Sequence, residues 1–267
     1  MAGGHSRLTA RQYGIVLSVF ARWCDSRTTS LSGAQDSELD AWLAERSASC
    51  RPATIQFGVC ALRSFYGWLL TSGRRPDNPA AHLRLRPMRH KPHRPYGDDE
   101  LRAILRATGN DPTRAIRDRA ILLLFIGGGL RLAEVAAVKA EDINWGEGVI
   151  MVRGKGNKER MIAPGPAVIE ALRVYLNRGR PPIWGIDAPA IGAMVKRRAR
   201  EAGLMGIHPH GFRHTLAIRL LESSRDLDGL RIILGHETLK QAAEYAAYTA
   251  QERALEEQRR LNLADRL

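Results

Sequence analysis

Four short stretches carry residue types suited to chemistry on an anion. In the first, Gly127-Gly128-Gly129-Leu130-Arg131-Leu132-Ala133-Glu134, an apolar run ends in glycines and an arginine opens a helix. The glycines let the backbone turn sharply. Arg131 then sits at a helix N-terminus, a place that favours anions. Glu134, three residues on, shares its face and is placed to hold the guanidinium. Taken alone, the pattern also describes an ordinary surface arginine. The second stretch, Gly154-Lys155-Gly156-Asn157-Lys158-Glu159-Arg160, is a hairpin tip that can carry Lys155 to a phosphate or an alkoxide. It is not a P-loop, because no Lys-Ser/Thr pair and no following helix complete one. Only six of the 41 Lys and Arg residues are lysines. One at this tip stands out, since an ammonium can give up a proton and a guanidinium practically cannot. A solvated turn is the competing reading. The third stretch is His208-Pro209-His210-Gly211-Phe212-Arg213-His214, in which His210 and Arg213 share one face near a helix start. The three histidines also invite a zinc reading, which no HExxH or cysteine partner supports. The fourth is Leu234-Gly235-His236-Glu237-Thr238, followed by Tyr245 and Tyr248.

These side chains need elements to position them. In the N-terminal third, Tyr13, Val16, Phe20 and Trp23 line one helix face, and Ile55, Val59, Leu62, Tyr66 and Leu69 line another. A weaker helix between them carries Leu39, Trp42 and Leu43. Asn78 is expected to cap a short fourth helix through Leu83, with Pro79 in its first turn. Residues 1–85 are therefore expected to form a four-helix bundle whose aromatics fill its core. The rest is mainly α with a small β-hairpin. Helices are expected near Asp98–Thr108, Pro112–Ile126, Leu132–Val138, Ala167–Arg178, Ala188–Ala202, Gly211–Glu222, Leu227–Leu234 and Thr238–Tyr248, with a separate charged helix near Gln251–Leu261. The hairpin pairs Val149–Val152 with Arg160–Ala163.

Composition limits the partners. The 267 residues include 41 basic and 28 acidic side chains, a formal net charge of +13, and 44% hydrophobic residues. Such a chain buries a real core, and its excess charge calls for a polyanion. The stretch 86–96 carries Arg86, Arg89, Lys91 and Arg94 with no acidic residue, besides Pro87, Pro92 and Pro95. It reads as an extended basic linker, either held against phosphates or simply a solvated hinge. It separates a domain at 1–85 from one at 97–267. No apolar run reaches a membrane span; the longest is Ala120–Ile126. The N-terminus lacks a signal peptide's apolar stretch. Cys24, Cys50 and Cys60 form no CxxC pair, so a reducing, cytoplasmic setting is expected.

Taken in order, the four stretches resemble the tyrosine recombinase (phage integrase) family. Its pattern is an arginine, a hairpin lysine, His-x-x-Arg, a Leu-Gly-His turn and a nucleophilic tyrosine. Arg131, Lys155, His210, Arg213, His236 and Tyr245 match it in sequence. The catalytic-domain resemblance covers roughly residues 97–250, and the triple glycine replaces the family's more usual Thr-Gly pair. The resemblance implies an N-terminal SAM-like core-binding domain followed by a mixed α+β catalytic domain. It implies cutting and rejoining of double-stranded DNA through a 3′-phosphotyrosyl intermediate. In that scheme Arg131 and Arg213 fork onto the scissile phosphate, and His236 adds a hydrogen bond. Tyr245 attacks, His210 takes its proton, and Lys155 protonates the departing 5′-oxygen. Glu134 and His214 are supports. Neither a metal ion nor another cofactor is implied. Tyr248 is the rival nucleophile, and the family's spacing from His236 favours Tyr245.

The resemblance also implies a tetramer on synapsed DNA and a monomer in free solution. The C-terminal helix, Ala250–Leu263, would dock on a neighbour through Leu255, Leu261 and Leu263. The core-binding segment begins near residue 7, so the short, Xer-like form without an arm-binding domain is expected. A phage or mobile-element integrase is the first role expected, and a chromosome or plasmid dimer resolvase the alternative. A non-catalytic DNA-binding regulator would not need Tyr245 or Lys155. A type IB topoisomerase-like enzyme fits the small helical N-terminal domain less well.

Overall fold

The computed structural model describes residues 7–85, 94–107, 109, 111–154, 158–177, 183–235 and 238–261. The chain divides into two compact units, Met1–Lys91 and Pro92–Leu267. In the first, α1 (Arg7–Asp25), α2 (Asp36–Ser47) and α3 (Pro52–Thr71) enclose Phe20, Cys24, Leu39, Trp42, Leu62 and Tyr66. The predicted apolar stripes are what they bury, and Phe20 packs on Trp42 with ring centroids 5.0 Å apart. The Tyr66 hydroxyl remains satisfied in this core by donating to the Leu31 carbonyl at 2.6 Å.

The expected fourth helix is a turn. Residues 79–82 form it, with the Asn78 side chain accepting from the Ala80 N–H at 3.0 Å. The capping signal was real, but only a few residues follow before Leu83, too few to offset helix nucleation. Ala80 and Leu83 are buried all the same.

The second unit is built on α5 (Pro112–Gly128), whose Ala120, Ile121, Leu122, Leu124 and Phe125 are fully buried. Asp111 caps it, accepting from the N–H groups of Thr113 and Arg114 at 2.9 and 3.0 Å. Around it lie α4 (Asp98–Arg106), α6 (Leu132–Ala137), α7 (Pro166–Leu176), α8 (Ala188–Glu201), α9 (Pro209–Ser224), α10 (Leu227–Leu234) and α11 (Leu239–Arg260). A buried ion-pair strut ties α5 to α8: Asp118 accepts from Arg117 at 2.9 Å and from Arg198 at 2.7 Å.

The hairpin belongs to a three-stranded antiparallel sheet in the order β1 (Ile143–Asn144), β2 (Val149–Arg153), β3 (Glu159–Ile162). Two-residue β1 is too short to announce itself in sequence. Ile150 pairs with Ile162, and Val152 with Arg160. Because side chains alternate along a strand, Arg160 falls on the same inward face as buried Ile162.

The two final helices expected from the sequence are one. Between Tyr248 and Gln251 there is no glycine or proline to break α11. Thr249 is accommodated by bonding its hydroxyl back to the Ala246 carbonyl at 3.1 Å.

Candidate active site

Helix α9 supplies the centre of the site. His208 caps it, its Nδ1 accepting from the Gly211 N–H at 3.1 Å. Phe212 turns inward onto Tyr96 and Phe125, with centroids 5.2 and 6.0 Å away. Gly211 lies under the Tyr96 hydroxyl so closely that a Cβ there would overlap it. That hydroxyl also accepts the His208 N–H at 3.0 Å, so Tyr96 fixes the start of the helix. The Tyr96 N–H donates to Thr215 Oγ1 at 2.9 Å, and its carbonyl accepts from Arg219 at 3.1 Å.

From this anchored turn Arg213 runs inward and is 1% exposed. Its Nη1 donates to the Gly129 carbonyl at 3.0 Å and its Nη2 to the Leu234 carbonyl at 2.7 Å. Both acceptors terminate helices, where carbonyls lack intrahelical partners and partial negative charge collects. Gly129 reaches this position with φ +58°, which a glycine adopts without strain. Burial, reinforced by the charge of Arg131, pushes the Arg213 guanidinium down to about 10, so it remains a cation at neutral pH.

Arg131 stands at the head of six-residue α6 and is held as the sequence predicts. Its Nη1 donates to Glu134 Oε1 at 2.7 Å, and its backbone N–H to Glu134 Oε2 at 2.9 Å. Its Nη2 lies 3.4 Å from the Gly235 carbonyl. Glu134 is 5% exposed. Burial alone would raise its carboxyl. Hydrogen bonds from Arg160 and from the Arg131 N–H, with the charge of Arg160, reverse this and hold it at about 2.

Arg160 was not singled out from the sequence. It donates to Glu134 Oε2 at 2.8 Å and Oε1 at 3.1 Å, and through Nε to the Ile233 carbonyl at 2.8 Å. The signal available was an arginine at an inward strand position.

Tyr245, on α11, is half-buried against Ala217, Leu221, Leu230 and Leu234. Its hydroxyl lies within the field of the Arg213 guanidinium. Burial raises its pKa, while the charges of Arg213 and Arg131 oppose the rise. Tyr248 lies in different company. Burial raises its pKa too, Glu252 and Glu222 add to the rise, and Arg94 opposes it. The His214 ring stands between the two tyrosines, 5.2 Å from Tyr245 and 5.9 Å from Tyr248. His210 is solvent-exposed on α9. Protein packed around its ring, and then the charge of Arg213, lower its pKa below the ordinary 6.5.

The structure thus brings together Arg131, Glu134, Arg213, His214 and Tyr245, with His210 one turn from Arg213. Lys155 and His236 lie outside the described residues. Next to them, the Gly154 N–H closes the hairpin on the Lys158 carbonyl at 2.8 Å, and Gly235 ends α10. Of the basic linker set, Arg86, Arg89 and Lys91 also lie outside the described residues. Arg94 is exposed and forks onto Glu100 at 2.7 Å through both Nη groups. Among the described residues no group of three His, Cys, Asp or Glu is placed to hold a metal ion, and no helix is long and apolar enough to cross a membrane.

A buried guanidinium acting on a tyrosine, with a second arginine alongside, suits phosphoryl transfer on a helical scaffold. Solved structures share that scaffold. The XerH site-specific recombinase bound to palindromic difH substrate superposes with TM-score 0.75 at 19% identity, covering 94% of this chain and 79% of that one. A lambda integrase tetramer bound to a Holliday junction gives 0.73 at 17% identity, covering 91% and 73%. Residues 97–252 match the phage integrase family, and residues 1–73 match its N-terminal SAM-like domain. Tyrosine recombinase XerD of Xanthomonas axonopodis pv. citri (strain 306) is 31% identical over 278 residues, spanning 93% of this chain and 89% of the relative. Tyrosine recombinase XerC of Xanthomonas campestris pv. campestris (strain B100) is 34% identical over 205 residues, spanning 72% of this chain and 63% of the relative. The chain belongs to the phage integrase family, the tyrosine recombinases, which cut and rejoin DNA strands.

Proposed function

We propose that the chain is a Xer-type site-specific recombinase whose nucleophile is Tyr245. The observation that carries the chemistry is the placement of the Tyr245 hydroxyl in the field of buried Arg213, with Arg131 alongside. A phenol so placed is next to cations that stabilise both phenolate and scissile phosphate. Tyr245 Oη attacks the scissile phosphorus and its proton passes to His210. A 3′-phosphotyrosyl ester forms as the P–O5′ bond breaks, and Lys155 protonates the leaving 5′-oxygen. The pathway then runs in reverse with an exchanged 5′-hydroxyl. Arg131 and Arg213 fork onto the nonbridging oxygens and His236 adds a hydrogen bond. Glu134 and His214 hold Arg131 and Tyr245. The side-chain cations do the work of a metal ion, and the ester bond conserves the energy of the broken linkage, so neither metal nor nucleotide cofactor is required.

Arg86, Arg89, Lys91 and Arg94 are assigned to the DNA backbone. For Arg94 this means exchanging Glu100 for phosphate. The working assembly is a tetramer on two synapsed duplexes, formed from monomers in the cytoplasm. The far end of α11 suits subunit docking, because residues 250–261 are all exposed, Leu255 and Leu261 among them. Leu263 lies outside the described residues. The likeness to XerD over 93% of this chain supports replicon resolution over the integrative role that the sequence first suggests.

A nicked suicide duplex, built on the site that wild-type protein captures covalently from host DNA, tests the chemistry. Tyr245→Phe abolishes the covalent adduct and leaves binding intact, whereas Tyr248→Phe still forms it. Loss of the adduct in Tyr248→Phe alone refutes the assignment. Mapping the captured sites tests the role. Matching sites within one replicon support resolution, and sites flanking an excisable element support integration.

A further inference from the structure

Three consecutive carbonyls at the end of α10 each accept from a different arginine. Ile233 takes Arg160, Leu234 takes Arg213 and Gly235 takes Arg131. The exposed end of a helix dipole thereby gathers three cations that would otherwise repel one another. Glu134 supplies the opposite charge, and each of its oxygens serves two donors. Oε1 takes Nη1 of Arg131 and of Arg160, and Oε2 takes the Arg131 N–H and Arg160 Nη2. Arg160 is 9% exposed in its side chain. It therefore faces protein on every side that matters and is poorly placed to meet DNA itself.

We propose that Arg160 is a positioning residue for Arg131: it clamps Glu134 from β3 and the α10 terminus at once, so that Glu134 presents the Arg131 guanidinium in one orientation. Without Arg160, Glu134 keeps its bonds to Arg131 but loses the partners that fix its own rotamer. The Ile233 carbonyl loses its donor as well. The fork is what the task needs. A lysine at 160 reaches either the carboxylate or the carbonyl, not both, because an ammonium is a point charge and a guanidinium a rigid fork. The inference rests on the reading that Arg131 neutralises the scissile phosphate, and the test separates the two.

Cleavage is measured on the captured site in two forms, one with the natural phosphodiester and one with a neutral methylphosphonate at the scissile position. Removing the phosphate charge removes the need for a well-placed Arg131. On the natural substrate, Arg160→Ala is expected to slow cleavage about 100-fold, the scale of a misplacement near 1 Å. Arg160→Lys should slow it about tenfold with DNA affinity unchanged. On the methylphosphonate, both variants and an Arg131→Ala control should approach the wild-type rate. A folding defect would not be repaired by changing the substrate. Should Arg160→Ala fail to fold, Arg160→Lys, which keeps a cation, decides the matter. Wild-type cleavage of the natural substrate by Arg160→Lys overturns the proposal. Rescue of Arg131→Ala without rescue of the Arg160 variants overturns it as well. Failure to rescue Arg131→Ala refutes the role given to Arg131, and the proposal falls with it.

Discussion

Replacing Glu134 with glutamine removes the negative charge that two arginine forks share while keeping the side chain's shape. The structure sets the size of the effect. Glu134 is 5% exposed, so solvent screens it little, and its carboxyl is held at about 2 instead of the ordinary 4.5. At about 1.4 kcal/mol per pH unit, that difference corresponds to about 3 kcal/mol of stability in the second unit. The sign follows from the direction. A carboxyl whose folded pKa is depressed stabilises the fold fully above its unfolded value. That contribution is lost as pH falls through the window from 4.5 down to about 2. The assay is a urea titration with pulsed hydrogen exchange read on peptides of α5, so that only the second unit is followed. At neutral pH, Glu134→Gln should unfold about 3 kcal/mol more easily than wild type. Near pH 2 the two proteins should come within about 0.5 kcal/mol of each other, because the folded wild-type carboxyl is then about half protonated and most of its contribution is gone. A neutral-pH difference below about 1 kcal/mol, or a difference that stays constant on acidification, would refute the charge-sharing account.

Three further outcomes are expected. His210 has a lowered pKa, so it stays neutral and able to accept a proton at neutral pH; cleavage should hold steady as pH falls to 6.5 and decline only below it. A midpoint above 6.5 in the rate profile would count against His210 as the base. Gly211→Ala places a methyl group on the Tyr96 hydroxyl and should cost about 1–3 kcal/mol. Adding Tyr96→Phe removes the nearest of the three Tyr96 atoms in conflict, so the double variant should be more stable than the sum of the two single changes, and strict additivity in urea unfolding would sink the contact argument. EDTA should leave adduct formation unchanged; strong inhibition that added Mg²⁺ reverses would show that a metal takes part.

Much of the site was legible because its parts are local. The pairing of Arg131 with Glu134, and the sharing of a face by His210 and Arg213, follow from three-residue spacing on a helix. The helices were readable from apolar periodicity, and the hairpin from its β-branched strand and glycine-flanked turn. Errors came where local signals were incomplete. Asn78 and Pro79 carry a helix-start signal, but only a turn over 79–82 follows it. A run of alanines and charged residues at the end of the chain reads as two helices when nothing interrupts it.

What the sequence determined by itself is the identity and order of the reactive groups, since those are fixed by covalent spacing. Only the tertiary structure decided what surrounds them. Arg213 meets a carbonyl 84 residues away, Arg131 one 104 residues away, and Arg160 one 73 residues away. Hydrogen bonds act over about 3 Å and are blind to distance along the chain. Arg160 could not be told from a surface arginine until the register of β3 turned it inward. Gly211 could not be read as making room for Tyr96 until folding brought the two together. The same closure puts Tyr245 in the field of Arg213 and leaves Tyr248, three residues further along the same helix, in other company.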